Sequence, residues 1–92
     1  MNRIVQRLEI HGRVQGVGYR WALIRQAARL GVHGWVRNRR DGTVEAMAAG
    51  TPEALQRLLA WARQGPPGAM VTRVEVHAAE GEFDGFELRP TA

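Results

Sequence analysis

One segment of the chain combines glycine, small apolar residues and arginine in an order suited to binding an anion. Residues 12–20 read GRVQGVGYR and lead directly into a region with helical periodicity. Glycines let backbone N–H groups turn towards one point, and the N-terminus of a helix adds the positive end of its dipole. The segment therefore predicts a phosphate-sized site. Its donors would be the backbone amides of Gln15, Gly16, Val17, Gly18 and Tyr19 and the planar guanidinium of Arg20.

The glycine spacing alone leaves a second interpretation open, in which this segment is an ordinary strand-to-helix turn beside a surface arginine. The pattern matches neither the Walker sequence nor the dinucleotide-binding sequence. Asn38 also has two interpretations. Its amide could hold a water, because it both donates and accepts hydrogen bonds, or it could serve the turn that follows it.

The residue types that are absent exclude several kinds of catalytic site. The chain has 92 residues and contains no cysteine, serine or lysine. Disulfides, cysteine and serine nucleophiles and Schiff-base chemistry are therefore excluded. All thirteen basic residues are arginine, and with nine acidic residues they give a net charge of +4. This excess favours anionic partners such as phosphates, although it is equally typical of an ordinary solvated surface.

Histidine and carboxylate residues do not show the spacing of a metal or acid–base site. Three histidines stand on separate predicted segments, without the i, i+4 spacing of a helical metal site, so no metal site is expected. They are His11, His33 and His77. Five acidic residues late in the sequence are expected to form a solvated edge rather than an acid–base pair. They are Glu75, Glu80, Glu82, Asp84 and Glu87.

Periodicity of apolar residues predicts the elements that would position these groups. Alternation of apolar and polar residues predicts strands, and a period of three to four predicts helices. Strands are expected over residues 4–11, 33–38, 43–49 and 71–78, with a short last strand around Phe86 and Leu88. Helices are expected over residues 19–30 and 52–64, the second capped by Thr51 and ended by a glycine–proline run.

This order, βαββαβ plus a short C-terminal strand, predicts an α+β fold of the ferredoxin-like type. We expect a single domain over residues 1–92, an α/β sandwich in which two helices cover one face of a mainly antiparallel sheet. A helical crossover returns the second strand parallel to the first. The C-terminal ends of both strands then lie at the same end of the sheet. The loop at residues 12–20 is therefore expected to neighbour Arg37 and Asn38.

Two segments resemble the signatures of the acylphosphatase family. Residues 12–20 are similar to its first signature, a G-x-V-Q-G-V-x-F/Y-R run. The run GWVRN at residues 34–38, followed by DG at 41–42 and VE at 44–45, is similar to the second. The GPP turn at 65–67 and the closing FELR at 86–89 also look like the family, so the resemblance covers residues 5–91. The main departure is Tyr19, where phenylalanine is more usual.

The resemblance implies an enzyme that hydrolyses acyl phosphates to a carboxylate and inorganic phosphate without a metal or cofactor. In that family the arginine of the first signature binds phosphate, and the asparagine of the second positions water. These roles fall on Arg20 and Asn38. The leaving group is a carboxylate, which needs no protonation at neutral pH, so the lack of a candidate catalytic acid is consistent with this reaction.

Two other functions share part of this pattern. An RNA-binding module has the same βαββαβ order, but it needs aromatic residues in the third strand, which here reads TVEAMAA. A non-catalytic accessory domain of a larger carbamoyl-phosphate enzyme is the other alternative. We expect an acyl phosphate substrate, inorganic phosphate as a competing product, and neither nucleic acid nor membrane as a partner. No apolar run approaches the ~20 residues that span a bilayer, and a cytoplasmic monomer is expected.

Overall fold

The computed structural model describes residues 2–92, and within them five strands and two helices follow the predicted order. The strands are β1 (Ile4–Arg13), β2 (His33–Asn38), β3 (Val44–Gly50), β4 (Met70–Ala79) and β5 (Phe86–Leu88). The helices are α1 (Tyr19–Leu30) and α2 (Pro52–Gln64). Neither of these helices has both the length and the apolar character needed to cross a membrane.

The strands form one sheet in the order β4-β1-β3-β2-β5. All neighbouring strands are antiparallel except β2 and β5, which are parallel. Because β1 and β2 both pair antiparallel with β3, they run in the same direction, and their C-terminal ends lie at the same end of the sheet. The predicted ferredoxin-like α+β fold is confirmed, and so is the meeting of the two strand ends that the site requires.

One face of the sheet packs against both helices. Leu8 and Ile10 of β1 are buried in a continuous core with Leu23 of α1 and Leu58 of α2. Since side chains alternate along a strand, the odd-numbered residues of β1 lie on the opposite face. This opposite side of the sheet is called the helix-free face below. It carries charged side chains, and ion pairs between them connect β3 with β1 and with β2.

Strand β1 continues two residues beyond its predicted end. Its register with β4 shifts between His11 and Gly12, which marks a β-bulge, and pairing resumes as far as Arg13. Gly12 has a φ of 121°, and a Cβ atom there would lie 2.0 Å from the carbonyl oxygen of Met70. Only glycine permits this close approach of the two backbones. The first glycine of the segment therefore marks a bulge, and the loop begins later than predicted.

Glu45 of β3 joins three arginines on the helix-free face. The residue is 4 % exposed. Its carboxylate accepts hydrogen bonds from Arg37 at 2.7 Å, Arg7 at 3.0 Å and Arg39 at 3.4 Å. Burial raises the pKa of the Glu45 carboxyl, but the hydrogen bonds and positive charges of these arginines outweigh burial and hold the pKa below its usual value. One carboxylate thereby links β1, β2 and the turn that follows β2.

Replacing the Glu45 carboxylate is expected to lower the free energy of unfolding at neutral pH and to lower it by a smaller amount in acid. Because the folded-state pKa is depressed, ionised Glu45 stabilises the fold fully above its unfolded pKa of about 4.3. That stabilisation is lost as the pH falls through the folded-state pKa. Urea unfolding from pH 7 to pH 3 should show Glu45→Gln less stable than the wild type at pH 7, with the difference shrinking in acid.

The exposed Glu80 provides a matched control. Glu80→Gln should unfold like the wild type throughout this pH range. A difference between Glu45→Gln and the wild type that stayed constant down to pH 3 would contradict a stabilising role for the ionised carboxylate.

Candidate active site

The loop between β1 and α1 packs against the core on one side and is open on its other side. Val14 is 1 % exposed, and Val17 packs against the core. Gly16 and Gly18 adopt left-handed conformations, with φ of 74° and 78°, which side chains of L residues rarely adopt. A Cβ atom at either glycine would have no neighbour within 4 Å. The predicted anion loop thus leaves open space beside its two glycines.

Helix α1 starts from this loop without a side-chain cap. Gly18 is the N-cap residue, and the first turn contains no acidic residue. The first amides of a helix have no acceptor within the helix, so they remain available to an anion at the positive end of the dipole. Arg20 lies half-buried in this first turn. Within residues 2–92, no carboxylate forms an ion pair with its guanidinium.

Tyr19 contributes its side chain to the core instead of the loop surface. It is 1 % exposed, and its hydroxyl donates a 2.7 Å hydrogen bond to the carbonyl oxygen of Ala62. Its ring packs against Trp61 with the centroids 5.4 Å apart. Burial also raises the pKa of this hydroxyl. The side chain therefore joins α1 to α2, and only the Tyr19 amide remains a candidate for phosphate binding.

Asn38 ends β2 at the same end of the sheet as this loop. Its backbone is fixed by pairing with Val44 of β3 and by a 3.0 Å hydrogen bond from the amide of Ala92 to its carbonyl oxygen. Its side-chain Oδ1 is buried and accepts no hydrogen bond from any residue in the range 2–92. A buried acceptor without a donor costs free energy, which a water molecule can recover. Asn38 Oδ1 is therefore a buried acceptor that can take a hydrogen bond from a water, and its role in positioning that water stays a prediction.

The side chain of Gln15 ties the loop to the turn that follows Asn38. Its Nε2 donates to the carbonyl oxygens of Arg39 at 2.8 Å and Thr43 at 2.9 Å. The same turn is closed by a 2.9 Å hydrogen bond from the Arg39 amide to the Thr43 carbonyl oxygen. One side chain thus fixes the distance between the two segments of the site.

The sequence predicts neither the hydrogen bonds of the Gln15 side chain nor those that Thr43 makes within the turn after Asn38. The sequence predicts only that the backbone amide of Gln15 binds the anion. A side chain that bridges two distant segments leaves no local pattern in the sequence. Thr43 does leave one, since it stands two residues after Asp41, the spacing of an Asx turn. Its hydroxyl and amide donate to the Asp41 carboxylate at 2.7 and 3.0 Å. These hydrogen bonds lower the pKa of Asp41.

The other sequence-based candidates are dispersed. Glu75 lies on β4 and Glu87 on β5, which are the two opposite edges of the sheet. The late acidic residues therefore form no common edge, contrary to expectation, because neighbours in sequence are separated here by the width of the sheet. Two of the histidines, His11 and His77, lie near Glu75 on the helix-free face.

The fold is of the ferredoxin-like class, with an open, uncapped loop at one end of the sheet. The acylphosphatase family model matches residues 6–88. An acylphosphatase from Cupriavidus necator is 60 % identical over 91 residues, which cover 99 % of each chain. One from Thermococcus kodakarensis is 57 % identical over 89 residues, 96 % of this chain and 98 % of that protein.

A solved structure gives the same result. An acylphosphatase from Coxiella burnetii is similar with a TM-score of 0.92 and 31 % identity, over 96 % of this chain and 94 % of that one. The chain therefore belongs to the acylphosphatase family, and it is an enzyme that hydrolyses acyl phosphates. The function implied by its two signatures is confirmed, and the two alternative functions gain no support from these matches.

Removing the Gln15 side chain is expected to lower kcat more than it weakens phosphate binding. Gln15→Ala deletes both hydrogen bonds to the turn after Asn38 but leaves the loop amides and Arg20 in place. Loss of alignment in an active site typically costs about a hundredfold in rate. Steady-state kinetics with benzoyl phosphate, together with the inhibition constant of inorganic phosphate, would separate the two effects.

Gln56, exposed on α2, provides the matched control. Gln56→Ala should retain wild-type kcat and phosphate inhibition. If Gln15→Ala weakened phosphate inhibition and left kcat unchanged, its side chain would be supporting the anion loop and not the alignment of Asn38.

Proposed function

We propose that the loop and Arg20 bind the phosphoryl group of the acyl phosphate, and that Asn38 orients the water that attacks phosphorus. The observation that carries this proposal is the buried, unpartnered Oδ1 of Asn38 at the same end of the sheet as the open, uncapped loop. An oxygen acceptor and a set of N–H donors are the complementary groups needed for a water and a phosphoryl anion.

The phosphoryl oxygens would accept hydrogen bonds from the loop amides between Gln15 and Tyr19 and from the fork of N–H groups on Arg20. Negative charge on these oxygens is spread through the transition state of phosphoryl transfer. Donors that are already in place stabilise that charge without rearrangement at the moment of reaction. The left-handed conformations of Gly16 and Gly18 hold the loop in this shape before substrate arrives.

The water would donate a hydrogen bond to Asn38 Oδ1 and approach phosphorus in line with the acyl oxygen. A new bond forms between the water oxygen and phosphorus, and the bond from phosphorus to the acyl oxygen breaks. The carboxylate leaves with the electron pair of the broken bond. Its conjugate acid has a pKa near 4, so no side chain needs to protonate it. The proton of the water passes to a phosphoryl oxygen of the substrate, and no strong general base is required.

The proposal extends to the partners and setting of the enzyme. The substrate is a small acyl phosphate, and inorganic phosphate competes for the same loop as product. We propose a monomer that acts in the cytoplasm and binds neither nucleic acid nor membrane. A monomer is supported by a site whose loop, arginine and asparagine all come from one chain.

Arg20 is expected to be needed both for binding and for turnover. With EDTA-treated protein and benzoyl phosphate, Arg20→Ala should raise KM and lower kcat, because the guanidinium contacts substrate and transition state alike. Losing one such donor costs about a hundredfold or more. Arg20→Lys should remain impaired, since an ammonium group cannot reproduce the planar fork. Arg25→Ala, at an exposed position of the same helix, is the matched control and should keep wild-type kinetics.

Two results would contradict this assignment. Wild-type kinetics in Arg20→Lys would rule out the two-pronged contact. Absence of hydrolysis by the folded wild type after EDTA treatment would show that the reaction needs a group beyond the residues assigned to it.

Asn38 is expected to affect turnover with little effect on phosphate binding. Asn38→Ala removes the acceptor for the attacking water but no donor to the phosphoryl group, so kcat should fall strongly. The inhibition constant of inorganic phosphate should stay near that of the wild type, as should both parameters in the control Asn2→Ala. Weaker phosphate inhibition with kcat intact would instead identify Asn38 as an anion ligand.

A further inference from the structure

The helix-free face carries a cluster of nitrogen and oxygen donors that includes none of the residues assigned to phosphate and water binding. Glu9 and His11 of β1 and Glu75 of β4 each offer one ligand atom, and these atoms lie within 4.8 Å of one another. His11 Nε2 is 2.8 Å from Glu9 Oε1 and 3.5 Å from Glu75 Oε2. His77 borders the cluster, with its Nε2 3.7 Å from Glu75 Oε1. One histidine and two carboxylates thus meet on adjacent strands, and a second histidine lies beside one of the carboxylates.

The register of β1 against β4 builds this cluster. Glu9 pairs directly with Glu75, so two carboxylates face each other across neighbouring strands. Each histidine stands two residues after one of these carboxylates and therefore on the same face. Like charges directly opposite each other destabilise a strand pair. A cation bound between Glu9 and Glu75 would remove that repulsion, and His11 lies where it would complete the coordination.

We propose that Glu9, His11 and Glu75 bind a divalent transition-metal ion of the Zn²⁺ type, with His77 as a fourth ligand. Imidazole nitrogen suits zinc, nickel and copper, whereas magnesium and calcium prefer ligand sets made of oxygen alone. Zinc lies about 2.0–2.2 Å from such ligands, so in a tetrahedral site their atoms are about 3.3 Å apart. The separations of 2.8 and 3.5 Å from His11 Nε2 lie on either side of that distance.

Two of the ligands are largely buried, and two arginines compete with an ion for the carboxylates, since Arg7 Nη1 lies 3.5 Å from Glu9 Oε2 and Arg73 contacts Glu75. The side chains of His11 and Glu9 are only 21 % and 23 % exposed, so little rotation is needed or allowed. Arg73 donates a 2.9 Å hydrogen bond to Glu75 Oε2 and is itself 63 % exposed. An ion would share Glu75 with this guanidinium or displace it. Removal of Arg73 should therefore tighten metal binding, whereas removal of a ligand should weaken it.

The spacing of histidines and carboxylates along the chain predicts no metal site, because these ligands do not follow a local sequence pattern. His11 and Glu75 follow Glu9 by 2 and 66 positions in sequence. The register of β1 against β4 brings the three residues together. An ion at this position would join the edge strand β4 to β1. It would raise the free energy of unfolding, since any ligand that binds only the folded state does so.

Titration calorimetry with ZnCl₂ on untagged, EDTA-stripped protein tests the proposal. The wild type should bind one ion per chain, and MgCl₂ should give no binding heat. His11→Asn should weaken zinc binding at least about tenfold, because even the outer partners of metal ligands typically account for that much. Arg73→Ala should bind zinc more tightly than the wild type. His33→Asn, which removes a histidine on β2 outside the cluster, should bind like the wild type.

Circular dichroism would verify that each variant is folded. Glu75→Gln, on an edge strand, is a second ligand variant that should also bind zinc at least about tenfold more weakly. The proposal is overturned if the wild type shows no saturable zinc binding, or if zinc binds His11→Asn and Glu75→Gln as tightly as the wild type. Equal affinity for magnesium would overturn the assignment to a transition metal.

Discussion

The pairing of β3 with both β1 and β2 is the constraint on which the active site depends. Two antiparallel partners of one strand must run in the same direction, so the chain segments after β1 and β2 emerge at one end of the sheet. The loop that leads to Arg20 and the end of β2 at Asn38 thereby lie at one end of the sheet, although 18 positions separate the two residues. Glu45 of β3 reinforces this arrangement, because its carboxylate holds arginines from β1, from β2 and from the turn beyond β2.

Preorganisation links this architecture to the chemistry of acyl phosphates. The reaction expels a weak base and so makes small demands on proton transfer, which leaves positioning and charge stabilisation as the main tasks. In the proposed mechanism, the positioning falls to a loop that packs through Val14 and Val17 and is joined to the opposite turn by Gln15. A chain without cysteine, serine or lysine can catalyse such a reaction because water is the nucleophile, so neither a nucleophilic side chain nor a strong base is needed.

Sequence reasoning recovered the features that depend on local pattern. The bounds of α1 and β2 follow from periodicity and from Gly31. The common direction of β1 and β2, which puts the ends of both strands at one end of the sheet, follows from the helical crossover. Local pattern did not predict the features that depend on how distant strands are aligned. The bulge at Gly12 and the hydrogen bonds of Gln15 depend on which residues of distant strands lie opposite each other. Periodicity predicts the face of the sheet on which a side chain lies. It does not predict which residue of another segment that side chain contacts.

The sheet order has a consequence for how copies of this protein behave towards one another. Strand β4 is an edge strand of ten residues, and one side of its backbone presents unpaired N–H and C=O groups. Long edges of this kind recruit strands from other molecules unless charges interrupt them. Arg73 and Glu75 supply such charges on alternate residues of β4. The arginine that competes for the proposed ion therefore also interrupts this edge, and removing its charge to gain metal affinity would leave a longer uncharged edge for other strands to pair with.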